Sequence, residues 1–323
     1  MDEFDLIETY FSPLAGKGAF ALTDDAACIS PSQGCELVVT KDTMVEGVHF
    51  PKGEYGAAIS GRLLRVNLSD IAAKGARPVA YLLSCAFPEH IMPSHIQDFA
   101  HGLADMQKIY KLTLLGGDTV KTSGPMVVTI TCFGEVPCGT MMRRKGAQIA
   151  DDIWLSGTIG DALLGLEIVK GDYAPALEHF TYLKERYYAP SPRVGLGQAL
   201  RGLANACLDI SDGLLADAGH LAKASHVGFE LDIEALTLSQ AARLWLEGQG
   251  EKALARLRLM TFGDDYELLF TAPPERSKDI EALGKSLSVP LQRIGVCVTG
   301  ESVKIYGEDR RIIPVKTRGY RHF

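Results

Sequence analysis

The stretch MVVTITCFGEVPCGTMMRRKGAQIADDIWLSG, residues 126–157, decides the fold. It begins with an apolar run, residues 126–136, that is typical of a buried strand, and ends with a second such run at 153–157. Residues 137–152 between them hold Pro, Gly and three consecutive basic residues, as connections between domains often do. We therefore predict two domains, residues 1–137 and 138–323, because a chain of 323 residues suits two cores better than one.

Helical and extended patterns alternate on both sides of this connection. Before it, the apolar spacing predicts helices at 2–11, 55–74 and 94–110, and strands at 36–40, 78–87, 112–115 and 126–136. After it, helices are predicted at 161–170, 175–186, 192–205, 213–225, 239–258 and up to about 286, and strands at 153–157, 206–211, 227–233 and 267–272. This mixture predicts an α+β protein with an N-terminal mixed α/β domain and a C-terminal α+β domain.

Composition and charge exclude several classes of protein. The formal net charge of −7 argues against nucleic-acid binding, which favours a basic surface. No apolar run reaches the ~18 residues of a membrane span, and the N-terminus lacks the basic residues of a signal peptide, so we expect a cytoplasmic protein. The seven cysteines are an odd number without a C-x-x-C pair, which predicts reduced, buried thiols.

Aspartate clusters are the recurring chemical feature. The sequence has no P-loop, no G-x-G-x-x-G before a helix, and no H-R-D or D-F-G motif. The clustered aspartates are Asp24, Asp25, Asp42, Asp70, Asp118, Asp209, Asp212, Asp264 and Asp265. Each is predicted just after an apolar strand or beside small residues, where a carboxylate can face a cleft. Magnesium prefers such ligands, and bound cations would reconcile an acidic protein with phosphate ligands.

Each candidate alone has a simpler explanation. A D-x-x-D pair more often forms a turn or helix cap, and Asp212 stands where it could cap the helix predicted at 213–225. His49 lies in a predicted loop, where histidines are usually surface or packing residues. Arg143 and Arg144 belong to a basic triplet that is normally a solvated face, and either could meet a phosphate. Tyr320 could stack on a cationic ring or simply pack a chain end.

The clusters lie within stretches that together resemble a known family. The stretches are TDDAA (23–27), TKDTMVEGVHF (40–50), VNLSDIAAKGARP (66–78), LLGGDT (114–119), SGTIGD (156–161), YYAPSPR (187–193), LDISDGL (208–214), GDDYELLF (263–270) and GYRHF (319–323). In this order they resemble the thiamine-monophosphate kinases, of the superfamily that includes aminoimidazole ribonucleotide synthetase and selenophosphate synthetase. The resemblance covers nearly the whole chain.

The resemblance implies a cytoplasmic homodimer, paired through its N-terminal domains, that phosphorylates thiamine monophosphate with ATP and several magnesium ions. It implies an N-terminal domain that binds ATP and metal, and a C-terminal domain that completes the active site. The implied metal ligands are Asp25, Thr40, Asp42, Asp70, Asp118, Asp209 and Asp212, of which metal-bound Asp42, Asp118 and Asp212 would neutralise charge. The implied ATP contacts are Gly117, Asp118, Arg144 and Ser211, and the implied substrate contacts are His49, Asp264 and Tyr320.

Three positions depart from the pattern of the family. Lys41 stands where a hydroxyl residue is common, and an ammonium cannot bind magnesium, so only its backbone could serve as a weak metal ligand, or its ammonium could instead meet a phosphate. Asp264 replaces a glutamate and is one methylene shorter, which predicts a water-mediated substrate contact. Thr23 replaces a glycine before Asp24 and Asp25, which restricts that loop.

Direct in-line transfer is the mechanism that these features suggest. The acceptor phosphate is already ionised near neutral pH because its second pKa is about 6, so no general base is needed. Another ATP-dependent synthetase of the superfamily is an alternative, although the reactive cysteines of selenophosphate synthetase and of a hydrogenase-maturation relative are missing. A metal-dependent phosphohydrolase and a non-catalytic nucleotide sensor are two further alternatives.

Overall fold

The computed structural model describes residues 3–307, 310–315 and 319. Contacts divide the chain into two compact units. The N-terminal unit holds residues up to Ile71 together with Ala76–Gly139, and the C-terminal unit holds Ala72–Gly75 together with residues from Thr140 onward. The two-domain α+β architecture predicted from the sequence is confirmed.

The N-terminal unit is a four-stranded sheet with helices on one face. Its strands are β1 (Cys35–Val45), β2 (Arg77–Pro88), β3 (Thr113–Thr122) and β4 (Val127–Pro137). Its helices are α1 (Glu3–Leu6), which continues as a π-helical turn (Ile7–Phe11), α2 (Ala57–Ala73) and α3 (Pro93–Tyr110). The strand order is β1-β4-β2-β3, with β2 and β3 parallel and the other pairs antiparallel.

Helix α3 illustrates how the sequence defines these elements. Pro93 occupies its first turn, where a missing N–H does no harm, and Lys111 ends it in a left-handed conformation with φ 56°. Its buried face includes Phe99, as the helical spacing predicts. Phe99 meets the ring of Phe87 on β2 edge-on at 6.2 Å, and this contact places α3 on the sheet face that carries the buried side chains of β2.

The C-terminal unit is a six-stranded sheet with helices on both faces. Its strands are β5 (Asp152–Ser156), β6 (Ala206–Asp209), β7 (Gly228–Asp232), β8 (Leu268–Ala272), β9 (Leu291–Val298) and β10 (Val303–Tyr306). Its helices are α4 (Asp161–Lys170), α5 (Leu177–Tyr188), α6 (Val194–Leu200), α7 (Leu214–Ser225), α8 (Gln240–Glu247), α9 (Lys252–Thr261) and α10 (Ser277–Leu287). The order is β10-β7-β9-β5-β8-β6, and only the β10–β7 pair is parallel.

Strand β5 shows why the strands of this sheet are continuous apolar runs in the sequence. Ile153 and Leu155 belong to one buried cluster, whereas Trp154 belongs to another and stacks on Phe270 with ring centroids 6.4 Å apart. Successive side chains of a strand point to opposite faces, so both faces of the sheet are covered. The last residues of β5 and β6 and the first residue of β8 are therefore buried as well, and the polar segments of this unit adjoin these strand ends.

Three sequence expectations need correction here. Strands β1 and β3 extend to Val45 and Thr122, well beyond the predicted ends at 40 and 115. The helix predicted at 239–258 is two helices, because the chain breaks around Gly248 and Gly250. All seven cysteines are free, but Cys28 and Cys138 are exposed rather than buried. Within the described residues, no helix is long and apolar enough to cross a membrane.

Candidate active site

The helix-covered face of the N-terminal sheet gathers three of the proposed metal ligands. Thr40 and Asp42 point to this face, because every second residue of a strand shares a face and the buried Val38 and Met44 belong to the same series. The Thr40 hydroxyl donates to the carboxylate of Asp70 on α2. The backbone N–H of Asp42 donates to the side-chain oxygen of Asn67, one helical turn before Asp70, at 3.2 Å.

The pKa of the buried Cys132 thiol on β4 reflects the negative charge of this group. Burial first, and then the negative charges of Asp70 and Asp42, raise the pKa of Cys132 to about 12. Both carboxylates therefore act on the same point of the sheet, opposite Thr40 in the β1–β4 register. Thr40, Asp42 and Asp70 form one oxygen-rich group, as a magnesium site requires.

Asp118 belongs to the other face of the sheet. The register places Thr43, Thr129, Ser84 and Asp118 in one row across the four strands, next to the row of Asp42. Side chains of neighbouring rows leave a sheet on opposite faces. Both Asp42 and Asp118 lie inside strands, so the expectation that they follow strand ends was wrong.

A cavity of about 520 Å³ in the N-terminal unit collects a second group of predicted residues. Asp24, Asp25, Gly117 and Asp118 are among its lining residues. Gly117 has a structural reason of its own, because a Cβ there would lie 1.7 Å from the carbonyl oxygen of Leu83. The cavity therefore brings together Asp25, Gly117 and Asp118 from two distant segments of the chain.

His49 lies in the turn that follows β1. Its Nδ1 accepts the backbone N–H of Val45 at 3.0 Å, so the neutral ring carries its proton on Nε2. Glu46 holds the turn by accepting the backbone N–H of Gly53 and of Met126, each at 2.9 Å, and the Tyr55 hydroxyl. Burial alone would raise the pKa of Glu46, but these hydrogen bonds lower it. Lys41 is exposed on the face of the sheet opposite Asp42.

The C-terminal unit holds a second acidic cluster, at the end of β6 and the start of α7. Asp209 is the last residue of β6, and the following turn carries Ser211 and Asp212. Asp217 on α7 accepts the backbone N–H of Ser211 at 3.1 Å and of Asp212 at 3.0 Å. The residue that caps α7 is Gly213, so the interpretation of Asp212 as a helix cap is wrong.

The electrostatics of this cluster fit a bound cation. Burial first, then the charges of Asp209 and Asp212, raise the pKa of Asp217 to about 8, whereas the Arg144 guanidinium lowers it. Crowded carboxylates repel one another, a bound cation would relieve that repulsion, and hard oxygen ligands suit magnesium. The influence of Arg144 also associates it with the same cluster.

Sequence reasoning missed Asp217 and His220. Ligand atoms of Asp212, Asp217 and His220 lie within 4.8 Å of one another, close enough to share one ion. The available signal was the i, i+3 spacing of Asp217 and His220 on the helix after LDISDGL. An imidazole nitrogen is not a ligand that magnesium favours, so we leave His220 outside the magnesium set.

The segment around Asp264 lies against this cluster. The backbone N–H of Asp264 donates to the carbonyl of Ser211 at 2.9 Å. Asp264 and Tyr266 have φ of 68° and 51°, left-handed conformations that are uncommon outside glycine, and the Tyr266 hydroxyl donates to the Asp264 carboxylate at 3.2 Å. A Cβ on Gly319 would lie 2.6 Å from the Asp212 carbonyl oxygen, and the predicted Tyr320 lies outside the described residues.

Comparison with known proteins finds matches to two family domains, one in each half of the chain. Residues 23–136 match the family described as AIR synthase related protein, N-terminal domain, and residues 151–308 match its C-terminal domain. The thiamine-monophosphate kinase of Caulobacter vibrioides is 40% identical over 327 aligned positions, covering 99% of this chain and 90% of that protein. This chain belongs to the thiamine-monophosphate kinase family.

Solved structures of the family have the same fold. The crystal structure of thiamine-monophosphate kinase from Stenotrophomonas maltophilia matches with a TM-score of 0.81 and 39% identity, over 90% of this chain and 91% of that one. The structure "AaThiL complexed with AMPPCP and TMP" matches with a TM-score of 0.80 and 31% identity, over 99% of this chain and 97% of that one. The family resemblance stated from the sequence motifs is confirmed.

Proposed function

We propose that this protein transfers the γ-phosphoryl group of ATP to the phosphate of thiamine monophosphate, yielding thiamine diphosphate and ADP. An acceptor phosphate oxygen forms the new bond to the γ-phosphorus, and the bond from that phosphorus to the β,γ-bridging oxygen breaks. The acceptor is already ionised near neutral pH, so no side chain has to remove a proton. The enzyme is a phosphotransferase that needs no covalent intermediate.

The observation that carries this proposal is the similarity to a family member in complex with both ligands. That relative is bound to AMPPCP, an ATP analogue with a methylene in place of the β,γ-bridging oxygen, and to TMP. The alignment covers 99% of this chain, and the thiamine-monophosphate kinase of Caulobacter vibrioides is 40% identical to it. The acidic clusters described above supply the phosphate-and-metal chemistry that such a reaction requires.

Magnesium is the metal that we propose for these clusters. The residues that would hold it are Asp25, Thr40, Asp42, Asp70, Asp118, Asp209 and Asp212. When bound, the ions neutralise the charges of both phosphate-bearing ligands and favour in-line approach. Asp217 holds the backbone of the Ser211–Asp212 turn by accepting the N–H groups of both residues.

The chain's own residues also account for binding of the two substrates in this proposal. Gly117, Asp118, Arg144 and Ser211 bind ATP, and the Arg144 guanidinium matches the geometry of a phosphate. His49, whose Nδ1 accepts the backbone N–H of Val45, contacts thiamine monophosphate. Asp264 approaches the substrate through a water molecule, and Tyr320 contacts it. Lys41 contributes at most its backbone.

We further propose a cytoplasmic homodimer formed through residues 1–137, with residues 138–323 completing the active site. Val39 and Val120, on the sheet face opposite α2 and α3, are 56% and 48% exposed, and pairing through this face would remove both side chains from water. Light scattering of the purified protein should give twice the mass of the 35.0 kDa chain; a monomer at micromolar concentration would contradict this part of the proposal.

One assay tests the reaction. Purified protein is incubated with ATP, Mg²⁺ and thiamine monophosphate, and the products are separated by chromatography, with a control that lacks thiamine monophosphate. Thiamine diphosphate and ADP in equal amounts are the expected products. Free phosphate without thiamine diphosphate would identify a phosphohydrolase instead, and ATP binding without turnover would identify a nucleotide sensor.

A further inference from the structure

A buried ionic network in the C-terminal unit has no role in the proposed chemistry. At its centre, Glu267 is 0% exposed. Its carboxylate accepts hydrogen bonds from Arg193 Nε at 2.6 Å and Nη2 at 2.5 Å, from Arg186 Nη2 at 3.2 Å, and from the Ser156 hydroxyl at 2.6 Å. Both carboxylate oxygens of Glu267 are thus held in a fixed orientation by a two-pronged arginine and two further donors.

Two more buried carboxylates extend the network. Asp161, also 0% exposed, accepts the hydroxyls of Thr158, Tyr182 and Ser239 at 2.6, 2.8 and 2.5 Å. Asp265 accepts the backbone N–H of Gly160 at 3.0 and 2.9 Å through its two oxygens.

The Arg186 side chain carries positive charge among these acids. Burial alone would lower the pKa of Arg186, but the charges of Glu267, Asp161 and Asp265 raise it. Arg186 therefore stays a cation inside the domain. The stretches SGTIGD, YYAPSPR and GDDYELLF supply Asp161, Arg193 and Glu267, so three separate motifs of the sequence meet here.

Backbone hydrogen bonds connect the network to the acidic cluster. The carbonyl of Glu267 accepts the N–H of Ile210 at 2.9 Å, and the carbonyl of Ile210 accepts the N–H of Tyr266 at 2.8 Å. One step further, Asp264 donates to the carbonyl of Ser211 at 2.9 Å. Ile210 and Ser211 lie between Asp209 and Asp212 in sequence. These three hydrogen bonds connect the backbone of residues 264–267 directly to the turn that carries these aspartates.

The segment 264–267 alternates between strained and anchored residues. Asp264 and Tyr266 have the left-handed φ values given above, whereas Asp265 and Glu267 are almost fully buried in the network. Non-glycine residues keep such conformations only where the surroundings hold them. The side chains of Asp265 and Glu267 provide that hold, one on each side of Tyr266.

We propose that Glu267, with Arg193 and Arg186, acts as a positioning group that fixes Asp264 and the 210–212 turn for catalysis. This inference rests on the proposed transfer to thiamine monophosphate. None of the three side chains needs to touch a substrate. A buried ion pair is by itself weak evidence for a role in stability, since apolar replacements are often as stable, whereas a fixed fork of hydrogen bonds gives precise orientation.

The test compares two arginine-to-lysine variants. Arg193→Lys keeps the charge but cannot form the two-pronged pair with Glu267. The matched control, Arg293→Lys, changes an arginine that pairs with another buried carboxylate of this unit, Asp152, at 2.5 Å. We expect Arg193→Lys to lower kcat/KM for thiamine monophosphate about 10- to 100-fold, and the control to change it less than about twofold. Equal effects of the two variants on kcat/KM would overturn the proposal.

Hydrogen exchange measured by mass spectrometry gives a readout that does not depend on activity. Arg193→Lys should speed exchange of the Ile210, Asp264 and Tyr266 amides at least about tenfold at temperatures well below the Tm, and Arg293→Lys should not. Unchanged exchange at these amides in Arg193→Lys would overturn the proposal. If wild-type protein does not make thiamine diphosphate, the proposed function fails, while the exchange result still tests the positioning role.

A milder variant covers the case in which Arg193→Lys does not fold. Ser156→Ala removes one donor to Glu267 and leaves both arginines in place. It also removes the acceptor of the Leu268 N–H at 2.8 Å, at the start of β8. The same local increase in amide exchange is expected, about threefold or more, and its absence would equally contradict the positioning role.

Discussion

A substitution at Gly263 tests directly how closely residues 263–267 must approach the Ser211–Asp212 turn. A Cβ at this position would lie 1.8 Å from the carbonyl oxygen of Ser211, and real Cβ atoms essentially never come within 3.0 Å of another heavy atom. Gly263→Ala must therefore separate the two segments by about 1.2 Å. The obstacle is backbone, so no side-chain rotation can relieve it.

The consequence for activity follows from that displacement. The hydrogen bond from Asp264 to Ser211, now 2.9 Å, would lengthen to about 4 Å and be lost. A displacement of about 1 Å at a reacting centre can cost 100-fold, which corresponds to about 2.7 kcal/mol in kcat/KM. Overpacking should also reduce the free energy of unfolding by about 1–3 kcal/mol.

The assay is steady-state formation of thiamine diphosphate, with thermal unfolding measured on the same preparations. Gly195→Ala is the control, because a Cβ there meets no heavy atom within 4 Å and alanine favours the helix α6 in which it lies. The control should keep its kcat/KM and a Tm at least equal to that of the wild type. Wild-type kcat/KM in Gly263→Ala would refute the reasoning.

Three further predictions test other parts of the site. Asp118→Asn and Asp212→Asn should each lower turnover at least about 100-fold with an unchanged Tm, and retained activity in both would contradict the metal assignment. Without metal, the free energy of unfolding should fall as pH rises from about 4 to 8, because the raised pKa of Asp217 makes the folded state hold its proton more tightly. Asp217→Asn or saturating Mg²⁺ should flatten that profile in chemical denaturation. Gly117→Ala should lower the free energy of unfolding by about 1–3 kcal/mol in urea, because of the clash with Leu83.

Local sequence patterns were enough to predict most of the elements. The helix predicted at 94–110 is Pro93–Tyr110, and the strand predicted at 126–136 is Val127–Pro137. The break between α8 and α9 was missed, since helical spacing continues on both sides of Gly248. Strands β1 and β3 were predicted too short because polar residues follow their apolar runs, and hydrogen bonds from neighbouring strands extend them.

The arrangement of the candidate site depends on pairings that the sequence does not contain. Asp42 and Asp118 looked equivalent as aspartates after apolar runs, yet the strand order and register send them to opposite faces of the sheet. The role of Asp217 was hidden for a related reason. Its partners are backbone N–H groups of the preceding turn, which become neighbours only when α7 packs beside the end of β6.

The left-handed backbone at Asp264 also decides which replacements are informative there. Aspartate and asparagine enter this region more readily than glutamate, because their short polar side chains bond locally. Asp264→Asn would therefore isolate the loss of charge, whereas Asp264→Glu would change side-chain reach and backbone strain together. The same preference gives a conformational reason for the shorter acid in this chain. A change of side-chain length at this position therefore also changes the energetic cost of its backbone conformation.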